Sequence, residues 1–422
     1  MTQLSADGRQ KLLVVGQGPH SHPPFQVAEA AAGLCRLLWL IDQSLPENAV
    51  TSRLLKKFGP VVDVAGLSPG EVASSLRPHA PDGVLALRDE DIVLLALVAA
   101  DLGLEYLSPA VAGRLFDKLQ QREALRRAGL PTPLCWEVPA ERTPADVEAL
   151  ARAVKYPAVL KPRRASGSRY AMAVADAGDL ARSVALLPPE AGGETGMFVE
   201  QYLPGRSGGN GRFADFLSVE SLVSAGDISH VALNGRFPLA EPFRETGTFI
   251  PAELPQSAHS AVLEVATAAL RAIGANTGAF HTEIKLTPRG PRVIEVNGRI
   301  GGGVPEMLLD ASGVPLFELA MRIAIGEAVH IDGPVPCSKV GWRLMLQLPK
   351  SARRVVSVEG LDRLARLGGV SSVLLNRAPG DPVDWRVGTG HYVFEATGVC
   401  DDHDALVEIN RFCHEQVTVV YE

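Results

Sequence analysis

Short apolar runs alternate with longer helix-compatible stretches over the first hundred residues. The runs are KLLVV (11–15), LLWLI (37–41), VVDVA (61–65) and GVLAL (83–87), and their length and composition are typical of buried strands. Stretches such as QVAEAAAGL and DIVLLALVAADLG lie between or after them. This alternation predicts βαβ units on a parallel sheet. The pattern ends at the proline of YLSP, close to Tyr106.

The middle of the chain has a mixed pattern. Gly113 to Gly129 has helix-forming composition and is followed by prolines, so we predict one helix there. PAVLKP, MFVEQYLPG and two runs around a Gly-Asp turn at Gly226 predict strands, which implies antiparallel sheet. Residues Ser257 to Ile273 predict a helix. HTEIKLT and RVIEVN then predict two strands joined by a turn at Pro288 to Pro291.

Beyond Gly333 strand-like runs become more frequent, before an acidic helix start at DDHDALVEI. We therefore predict an α/β and α+β multidomain chain with three units: an N-terminal α/β unit (1–107), a central unit (108–334) and a small C-terminal β-rich unit (335–422). Because no long Pro/Gly/Ser linker separates them, we expect the units to pack against one another.

Composition narrows the classes of function. Hydrophobic residues make up 46% and charged residues 21%, as in ordinary globular proteins. The formal charge of -7, with no dense basic tract, argues against nucleic acid as a partner. The longest apolar run, Ile92 to Ala100, is much shorter than the ~20 residues of a membrane-spanning helix. The N-terminus lacks a signal-peptide pattern and the five cysteines are scattered, so we expect a cytoplasmic protein without a zinc site.

The stretch HTEIKLTPRGPRVIEVNGRIGGG contains the densest candidate chemistry. On a strand, Glu295, Asn297 and Arg299 point to one face, and Glu283 joins them if the two predicted strands form a hairpin. Two carboxylates and an amide oxygen suit Mg²⁺. Arg299 could then bind a phosphate or carboxylate, and Gly301 to Gly303 would let backbone amides approach an anion. The alternative is a solvated strand face followed by a flexible turn.

Cationic candidates for phosphate binding lie upstream. Lys161 ends a strand and precedes the small-residue loop Ala165 to Ser168, although a solvated lysine before a loop is the alternative. Lys118 is a second candidate, and the alternative for it is a surface residue of an amphipathic helix. After Gln201 a strand edge could offer backbone groups to an adenine base, while Glu200 could accept from its amino group; the alternative is an ordinary buried strand end. Gly16-Gln17-Gly18 follows the first strand, but the dinucleotide fingerprint fails after its second glycine, which favours an ordinary turn.

These pieces, in this order, resemble the ATP-grasp family. FDKLQQREALRRAGLPTP, VLKPRRASGSR, FVEQYLPG and the E…E-x-N-x-R pattern match its successive motifs from about Gly113 to Gly326. The resemblance implies an ATP-grasp fold preceded by a Rossmann-like βαβ domain, with a lid at about 155–205. It also implies ATP and Mg²⁺ as cofactors, with Mn²⁺ as a substitute. The implied nucleotide-binding residues are Lys118, Lys161, Ser166, Gly167, Ser168, Glu200, Gln201, Tyr202 and Leu203, and the implied metal ligands are Glu283, Glu295 and Asn297.

Within that family the chain looks most like the L-amino acid ligases, which join two amino acids into a dipeptide. The resemblance implies that Arg299 is catalytic and contacts the acylphosphate and substrate carboxylate, with Glu245, Thr248 and Gly302 at the substrate. Thr248 stands where relatives often have histidine, and Tyr170 and Ala171 stand where they tend to keep glycine. Arg244 and Trp342 are further candidates for lining the amino-acid pocket. His281 is interpreted as a strand residue packed near the site, without a catalytic role.

The implied activity is an ATP-dependent carboxylate–amine ligase. An amino-acid carboxylate attacks the γ-phosphate, an acylphosphate forms, and an amine, in these relatives a second amino acid, displaces phosphate. The alternatives are a biotin carboxylase-like or purine-pathway ATP-grasp enzyme, or a catalytically silent ATP-binding protein. The expected partners are small-molecule substrates, and neither nucleic acid nor a membrane. Dimers are common among the relatives, and the sequence leaves the oligomeric state open.

Overall fold

The computed structural model describes residues 8–18, 21–188, 191, 196–205 and 211–422. In the N-terminal unit, four parallel strands lie in the order β3-β2-β1-β4. They are β1 (Leu12–Gly16), β2 (Arg36–Ile41), β3 (Val61–Asp63) and β4 (Gly83–Leu85), with helices α1 (Pro24–Ala31), α2 (Asn48–Leu55), α3 (Pro69–Leu76) and α4 (Asp89–Leu102). The predicted βαβ units and parallel sheet are confirmed.

Gly16, the last residue of β1, and Gly18 lie against the start of α4. A Cβ at Gly16 would lie 2.7 Å from an Asp91 carboxylate oxygen, and one at Gly18 would lie 2.1 Å from an Arg88 guanidinium nitrogen. Arg88 and Asp91 are themselves paired at 2.6 Å. The glycines therefore allow this ion pair to approach the backbone closely. Residues 19 and 20, which follow Gly18, lie outside the described residues.

Two helices link this unit to the next one, α5 (Pro109–Phe116) and α6 (Lys118–Arg127). The single helix predicted from Gly113 to Gly129 is therefore wrong. Asp117 has extended backbone dihedrals, and its side chain accepts hydrogen bonds from the amides of Leu119 and Gln120 at 3.0 and 3.3 Å. Since aspartate is a strong helix N-cap, it ends α5, starts α6 and places Lys118 in the first turn.

A small antiparallel sheet follows, in the order β5-β8-β6-β7. Its elements are β5 (Cys135–Glu137), α7 (Pro144–Ala153), β6 (Ala158–Pro162), β7 (Met172–Val174), α8 (Ala177–Leu186) and β8 (Met197–Gln201). The buried apolar side chains of α7, α8 and these strands form a cluster of their own. Of the predicted lid at about 155–205, residues 189–190 and 192–195 lie outside the described residues.

The largest sheet has eight strands in the order β13-β12-β9-β10-β11-β14-β17-β16, and the described pairings are antiparallel. Its strands are β9 (Phe216–Ser224), β10 (Asp227–Arg236), β11 (Gly247–Ile250), β12 (Gly278–Thr287), β13 (Gly290–Asn297), β14 (Val340–Met345), β16 (Val370–Leu375) and β17 (Phe394–Cys400). The other elements of this part are α9 (Gln256–Ile273), α10 (Val304–Ser312), α11 (Leu316–Ala324), β15 (Val355–Glu359), α12 (Leu361–Leu364), α13 (His403–Gln416) and β18 (Thr418–Tyr421). β15 pairs with β18 in a separate two-stranded sheet.

The C-terminal strands extend the central sheet directly. β14 pairs with β11 across four residue pairs, and the aromatic side chains of Phe213, Phe237 and Phe249 share one core with Trp342 and Phe394. The boundary between units at 334 and 335 stays a prediction, since the sheet and its core are continuous across it. Within the described part of the chain, no helix has both the length and the apolar character needed to cross a membrane.

Candidate active site

A row of polar residues crosses one face of the eight-stranded sheet. Glu295 lies opposite Glu283, Glu283 opposite Ser218, and Ser218 opposite Asn234. Directly opposed residues of antiparallel strands project to the same face. The two candidate metal-binding carboxylates are therefore brought together, as the hairpin of HTEIKLT and RVIEVN predicted.

The same row continues into the C-terminal strands. Arg236, two residues beyond Asn234 on β10, lies opposite Thr248, and Thr248 lies opposite Arg343. A period of two keeps Asn234 and Arg236 on one face. The polar face therefore runs from the carboxylate pair on β12 and β13 to Arg343 on β14, and we call it the polar row (Glu295, Glu283, Ser218, Asn234, Arg236, Thr248, Arg343).

The paired carboxylates are electrostatically suited to a cation. Burial raises the pKa of Glu283, and the neighbouring charge of Glu295 raises it further. Lys118 Nζ lies 2.7 Å from Glu295 and also donates to the Ala165 carbonyl at 2.6 Å. A divalent cation between the two carboxylates would relieve their repulsion, and hard oxygen ligands match Mg²⁺. The residues present therefore fit this metal.

Asn297 lies two residues beyond Glu295 on β13, opposite His281. Its amide nitrogen is 3.5 Å from the His281 carbonyl. No group of three or more His, Cys, Asp or Glu residues suited to a metal occurs in the described ranges. The protein would thus supply two carboxylates and an amide oxygen, leaving positions for water and phosphate oxygens, which is the usual situation for Mg²⁺.

Arg299 is held by the N-terminal unit. Its guanidinium contacts the Asp89 carboxylate at 2.7 and 3.0 Å, and its third nitrogen donates to the Ile300 carbonyl at 3.1 Å. Asp89 is the first residue of α4. The N-terminal unit therefore orients the arginine that the sequence predicts to be catalytic, and sequence reasoning did not single out Asp89.

Lys161 and Glu200 meet in a buried ion triad. Glu200 is paired with Lys161 and also with Arg122, whose guanidinium lies 3.0 Å away. Burial raises the pKa of Glu200, but the charges of Arg122 and Lys161 outweigh burial and hold it below its usual value. Both carboxylate oxygens are thus engaged. This geometry does not favour the expected acceptance by Glu200 from an adenine amino group, because that carboxylate organises Lys161 instead.

Of the backbone amides of Gln201, Tyr202 and Leu203, one is free to donate to a ligand. The amides of Gln201 and Tyr202 donate to the Leu134 and Pro157 carbonyls at 2.8 and 2.9 Å. The amide of Leu203 has no acceptor within the described ranges. Of the backbone donors predicted to meet the base, the Leu203 amide is therefore the one left available.

The loop after Lys161 contacts two other parts of the molecule through its serines. Ser166 donates to the Glu90 carboxylate at 3.0 Å, and Ser168 donates to the Phe243 carbonyl at 2.8 Å. Glu90 belongs to α4, and Phe243 lies in the segment before Glu245. These contacts join the loop to the N-terminal unit and to the segment that precedes Glu245.

The same loop docks on the C-terminal part. The amide of Thr389 donates to the Gly167 carbonyl at 2.8 Å, and the amide of Tyr170 donates to the Arg386 carbonyl at 3.0 Å. Gly388 packs so closely that a Cβ there would lie 2.2 Å from the Gly167 carbonyl oxygen. Tyr170 has a φ of 55°, a left-handed conformation that favours glycine. Tyr170, which stands where relatives tend to have glycine, therefore adopts a strained backbone conformation.

Glu245 and Thr248 share one partner, Arg236. The Arg236 guanidinium donates to Glu245 at 2.9 Å and to the Thr248 hydroxyl at 2.8 Å. Burial raises the pKa of Glu245, but the charge of Arg236 outweighs burial and lowers it. Glu245 is therefore an ionised carboxylate with one oxygen already bound, and its contact with a substrate ammonium stays a prediction. The sequence analysis did not identify Arg236 as a site residue. Its position at the end of the strand before PFRETG could have indicated it.

Glu220 ties the glycine loop to β12. Its carboxylate accepts from the His281 ring, from Asn234 at 2.6 Å and from the Gly301 amide at 3.2 Å. Burial raises the pKa of Glu220, but His281 and these hydrogen bonds hold it below its usual value. His281 thus packs at the site as a partner of Glu220, in keeping with its interpretation as a strand residue.

Two residues proposed to line the amino-acid pocket do not do so. The Trp342 side chain is fully buried in the core that it shares with Phe249. Arg244 is also buried, and its guanidinium donates to the carbonyls of Glu241 and Leu348. Trp342 precedes Arg343 on β14 and therefore projects to the opposite face from the polar row. The Arg244 guanidinium is occupied by its backbone acceptors.

Comparison with known proteins identifies the class. Residues 154–306 match the model of the ATP-grasp domain. The chain therefore contains an ATP-grasp domain, which confirms the resemblance predicted from the sequence.

Among solved structures, the fold is similar to that of an L-amino acid ligase from Bacillus licheniformis, with a TM-score of 0.79, 21% identity and coverage of 98% of this chain and 99% of that one. Among curated proteins, 275 residues are 26% identical to alanine–anticapsin ligase of Bacillus subtilis (strain 168), covering 62% of this chain and 53% of that protein. Over 263 residues the chain is 28% identical to human carnosine synthase 1, covering 58% of this chain and 31% of that protein. The aligned segments thus span about half or less of these two relatives.

Proposed function

We propose that the protein is an ATP-dependent carboxylate–amine ligase that activates an amino-acid carboxylate and couples it to an amine. The observation that carries this proposal is the pairing of Glu283 and Glu295 beside Lys118, which also contacts the Ala165 carbonyl of the small-residue loop. The names of the relatives, an L-amino acid ligase, alanine–anticapsin ligase and carnosine synthase, support the same reaction class.

ATP would lie between the small sheet and the polar row. The Leu203 amide would donate to the adenine base, and Lys161 would leave Glu200 to contact the phosphates while Arg122 continues to neutralise that carboxylate. Lys118 would turn from Glu295 to the phosphates in the same way. Such positioning and charge neutralisation supply most of the catalysis in phosphoryl transfer.

Glu283, Glu295 and Asn297 would hold Mg²⁺, which supplies Lewis-acid stabilisation of the transferring phosphoryl group when it is bound. In the first step, a substrate carboxylate oxygen attacks the γ-phosphorus, the bond to the β-phosphate oxygen breaks, and ADP leaves. In the second step, the amine nitrogen attacks the acyl carbon, phosphate departs, and the amine loses a proton. Arg299, oriented by Asp89, would stabilise the charge on the acylphosphate.

The loop of Ser166 to Ser168 would protect the intermediate from water. An acylphosphate exposed to solvent hydrolyses, so ATP would be consumed without amide product. The contacts of the loop with Glu90, Phe243 and Thr389 hold it closed over the site.

The test is phosphate release from ATP across the twenty amino acids, singly and in pairs, with hydroxylamine as a second nucleophile. Hydroxylamine traps an activated carboxylate as a hydroxamate, so it reports the first step alone. We expect hydroxamate with particular amino acids, and its loss in Glu295→Gln. Glu318→Gln, which removes a carboxylate from a surface pair with Arg322, should behave like the wild type. Phosphate release that requires bicarbonate and gives no hydroxamate would instead indicate a carboxylase-type reaction.

A further inference from the structure

The guanidinium of Arg343 lies at the C-terminal end of the polar row, above the glycine loop that follows Arg299. A Cβ at Gly303 would lie 2.9 Å from Arg343 Cδ, and one at Gly302 would lie 3.8 Å from Arg343 Nη1. Because both positions are glycine, no side chain separates the loop from the guanidinium. Arg343 therefore faces the backbone next to the proposed catalytic arginine.

One nitrogen of the Arg343 guanidinium, Nη1, is free to bind a ligand. Its Nε and Nη2 contact the Glu395 carboxylate at 3.0 and 2.5 Å, and Tyr392 donates to the same carboxylate oxygen at 2.7 Å. Nη1 has no protein acceptor within the described ranges, and the side chain is 21% exposed. The Nε and Nη2 edge of the guanidinium is thus bound to Glu395, and Nη1 is free to bind a ligand.

The two other arginines at this site differ in that respect. Each nitrogen of Arg236 donates to a protein oxygen, on Glu245, Thr248, Ser218 or the backbone. Each nitrogen of Arg299 does so as well, to Asp89 or Ile300. Of Arg236, Arg299 and Arg343, only Arg343 has a guanidinium nitrogen that makes no hydrogen bond to the described residues.

Arg343 and Arg299 also lie close to a common neighbour. The buried His22 ring has its pKa lowered to about 4, first by burial and then by the charges of Arg299 and Arg343. Both guanidinium groups thus lie close enough to one imidazole to lower its pKa.

We propose that Arg343 binds the carboxylate of the amine substrate, so that the protein selects amino acids over simple amines as acceptors. This inference rests on the proposed ligase function and adds the residue that would set acceptor specificity. A charge-assisted hydrogen bond from Nη1 would hold the carboxylate beside Gly302, while the amine of the same molecule points to the acylphosphate at Arg299. A simple amine lacks this contact and would bind more weakly.

The test compares acceptors that differ only in the carboxylate: alanine with ethylamine, leucine with 3-methylbutylamine, and histidine with histamine. In Arg343→Met, we expect KM for the amino acids to rise about 10- to 100-fold, as loss of a charge-assisted hydrogen bond implies, and KM for the amines to stay unchanged. Arg343→Lys should recover part of the preference. Hydroxamate formation from the first substrate should be retained in both variants.

The control is Arg322→Met, which removes an arginine of similar exposure (28%) from its surface ion pairs with Glu318 and Glu327. Equal losses with amino acids and amines, or a matching loss of hydroxamate, would show that Arg343 is only structural and overturn the proposal. Wild-type protein that gives no hydroxamate with any amino acid would overturn the ligase function itself, and this inference with it. Retained hydroxamate with an unchanged acceptor preference in Arg343→Met would overturn the role of Arg343 alone.

Discussion

Replacing Gly388 with alanine should uncouple ATP consumption from amide formation. Gly388 has φ 94° and ψ -159°, a region that is almost restricted to glycine. A Cβ at this position would lie 2.2 Å from the Gly167 carbonyl oxygen and 2.8 Å from the Arg169 amide nitrogen. Both contacts are with backbone, so the covering loop cannot dock without moving.

The magnitude follows from the two hydrogen bonds that docking forms at this place. The bonds from Thr389 to Gly167 and from Tyr170 to Arg386 would be lost. At about 0.5–1.5 kcal/mol each, they contribute about 1–3 kcal/mol to docking. That free energy corresponds to a shift of roughly 5- to 150-fold in the equilibrium between docked and undocked loop. We therefore expect a fall of at least several-fold in the amide formed per phosphate released.

The assay measures amide and phosphate in the same reaction, together with tryptic cleavage in the segment Arg163 to Arg169. The undocked loop should be cut faster, and this readout does not depend on activity. Gly380→Ala is the matched control, because Gly380 also has a positive φ, 97°, but no neighbouring atom within 4 Å of a Cβ. The reasoning fails if Gly388→Ala keeps the wild-type amide-to-phosphate ratio and cleavage rate, or if Gly380→Ala loses coupling equally.

Three further predictions concern other parts of the molecule. His22 has a folded-state pKa of about 4 against an ordinary value of 6.5, so acid favours the unfolded chain: stability should fall by about 3 kcal/mol as pH drops from 6.5 to 4. Urea unfolding at several pH values should show a smaller fall in the free energy of unfolding for His22→Gln than for the wild type. An equal dependence of that free energy on pH in the two proteins would contradict this. Arg122→Met leaves buried Glu200 with Lys161 alone, and should destabilise the protein by about 3–5 kcal/mol in the same assay; a change below about 1 kcal/mol would show that the triad relaxes. Glu283→Gln should raise the Mg²⁺ concentration for half-maximal phosphate release at least tenfold, and an unchanged Mg²⁺ dependence would exclude Glu283 as a ligand.

Much of the site was visible in the sequence because its residues are close along the chain. Glu283, Glu295 and Asn297 lie within one predicted hairpin, and a strand period of two is enough to place their side chains on one face. Arg299 lies two residues beyond the end of β13, so strand periodicity does not place it. Lys161 and its loop could be predicted for the same reason, since a strand followed by small residues is a local pattern. The parallel sheet of the N-terminal unit was likewise encoded in alternating short segments.

The features that the sequence did not reveal depend on long-range contacts. Asp89 meets Arg299 across 210 residues of chain, and Arg122 meets Glu200 across 78. The local pattern of hydrophobic and polar residues cannot predict a contact between residues so far apart in the chain. The same applies to the break at Asp117, where a side-chain cap and a tertiary ion pair with Arg163 override the helix-forming composition around it.

Sequence alone therefore determined the class of fold, the carboxylate pair and the lysines, because hydrophobic periodicity and local motifs are properties of neighbouring residues. Tertiary structure decided which charges neutralise one another: Glu200 with Lys161 and Arg122, Glu245 with Arg236, and Arg343 with Glu395. These partners lie on strands of two different sheets, on helix α6, and in the segment before β11. Their pairing follows from sheet register and burial, which exist only once the chain has folded.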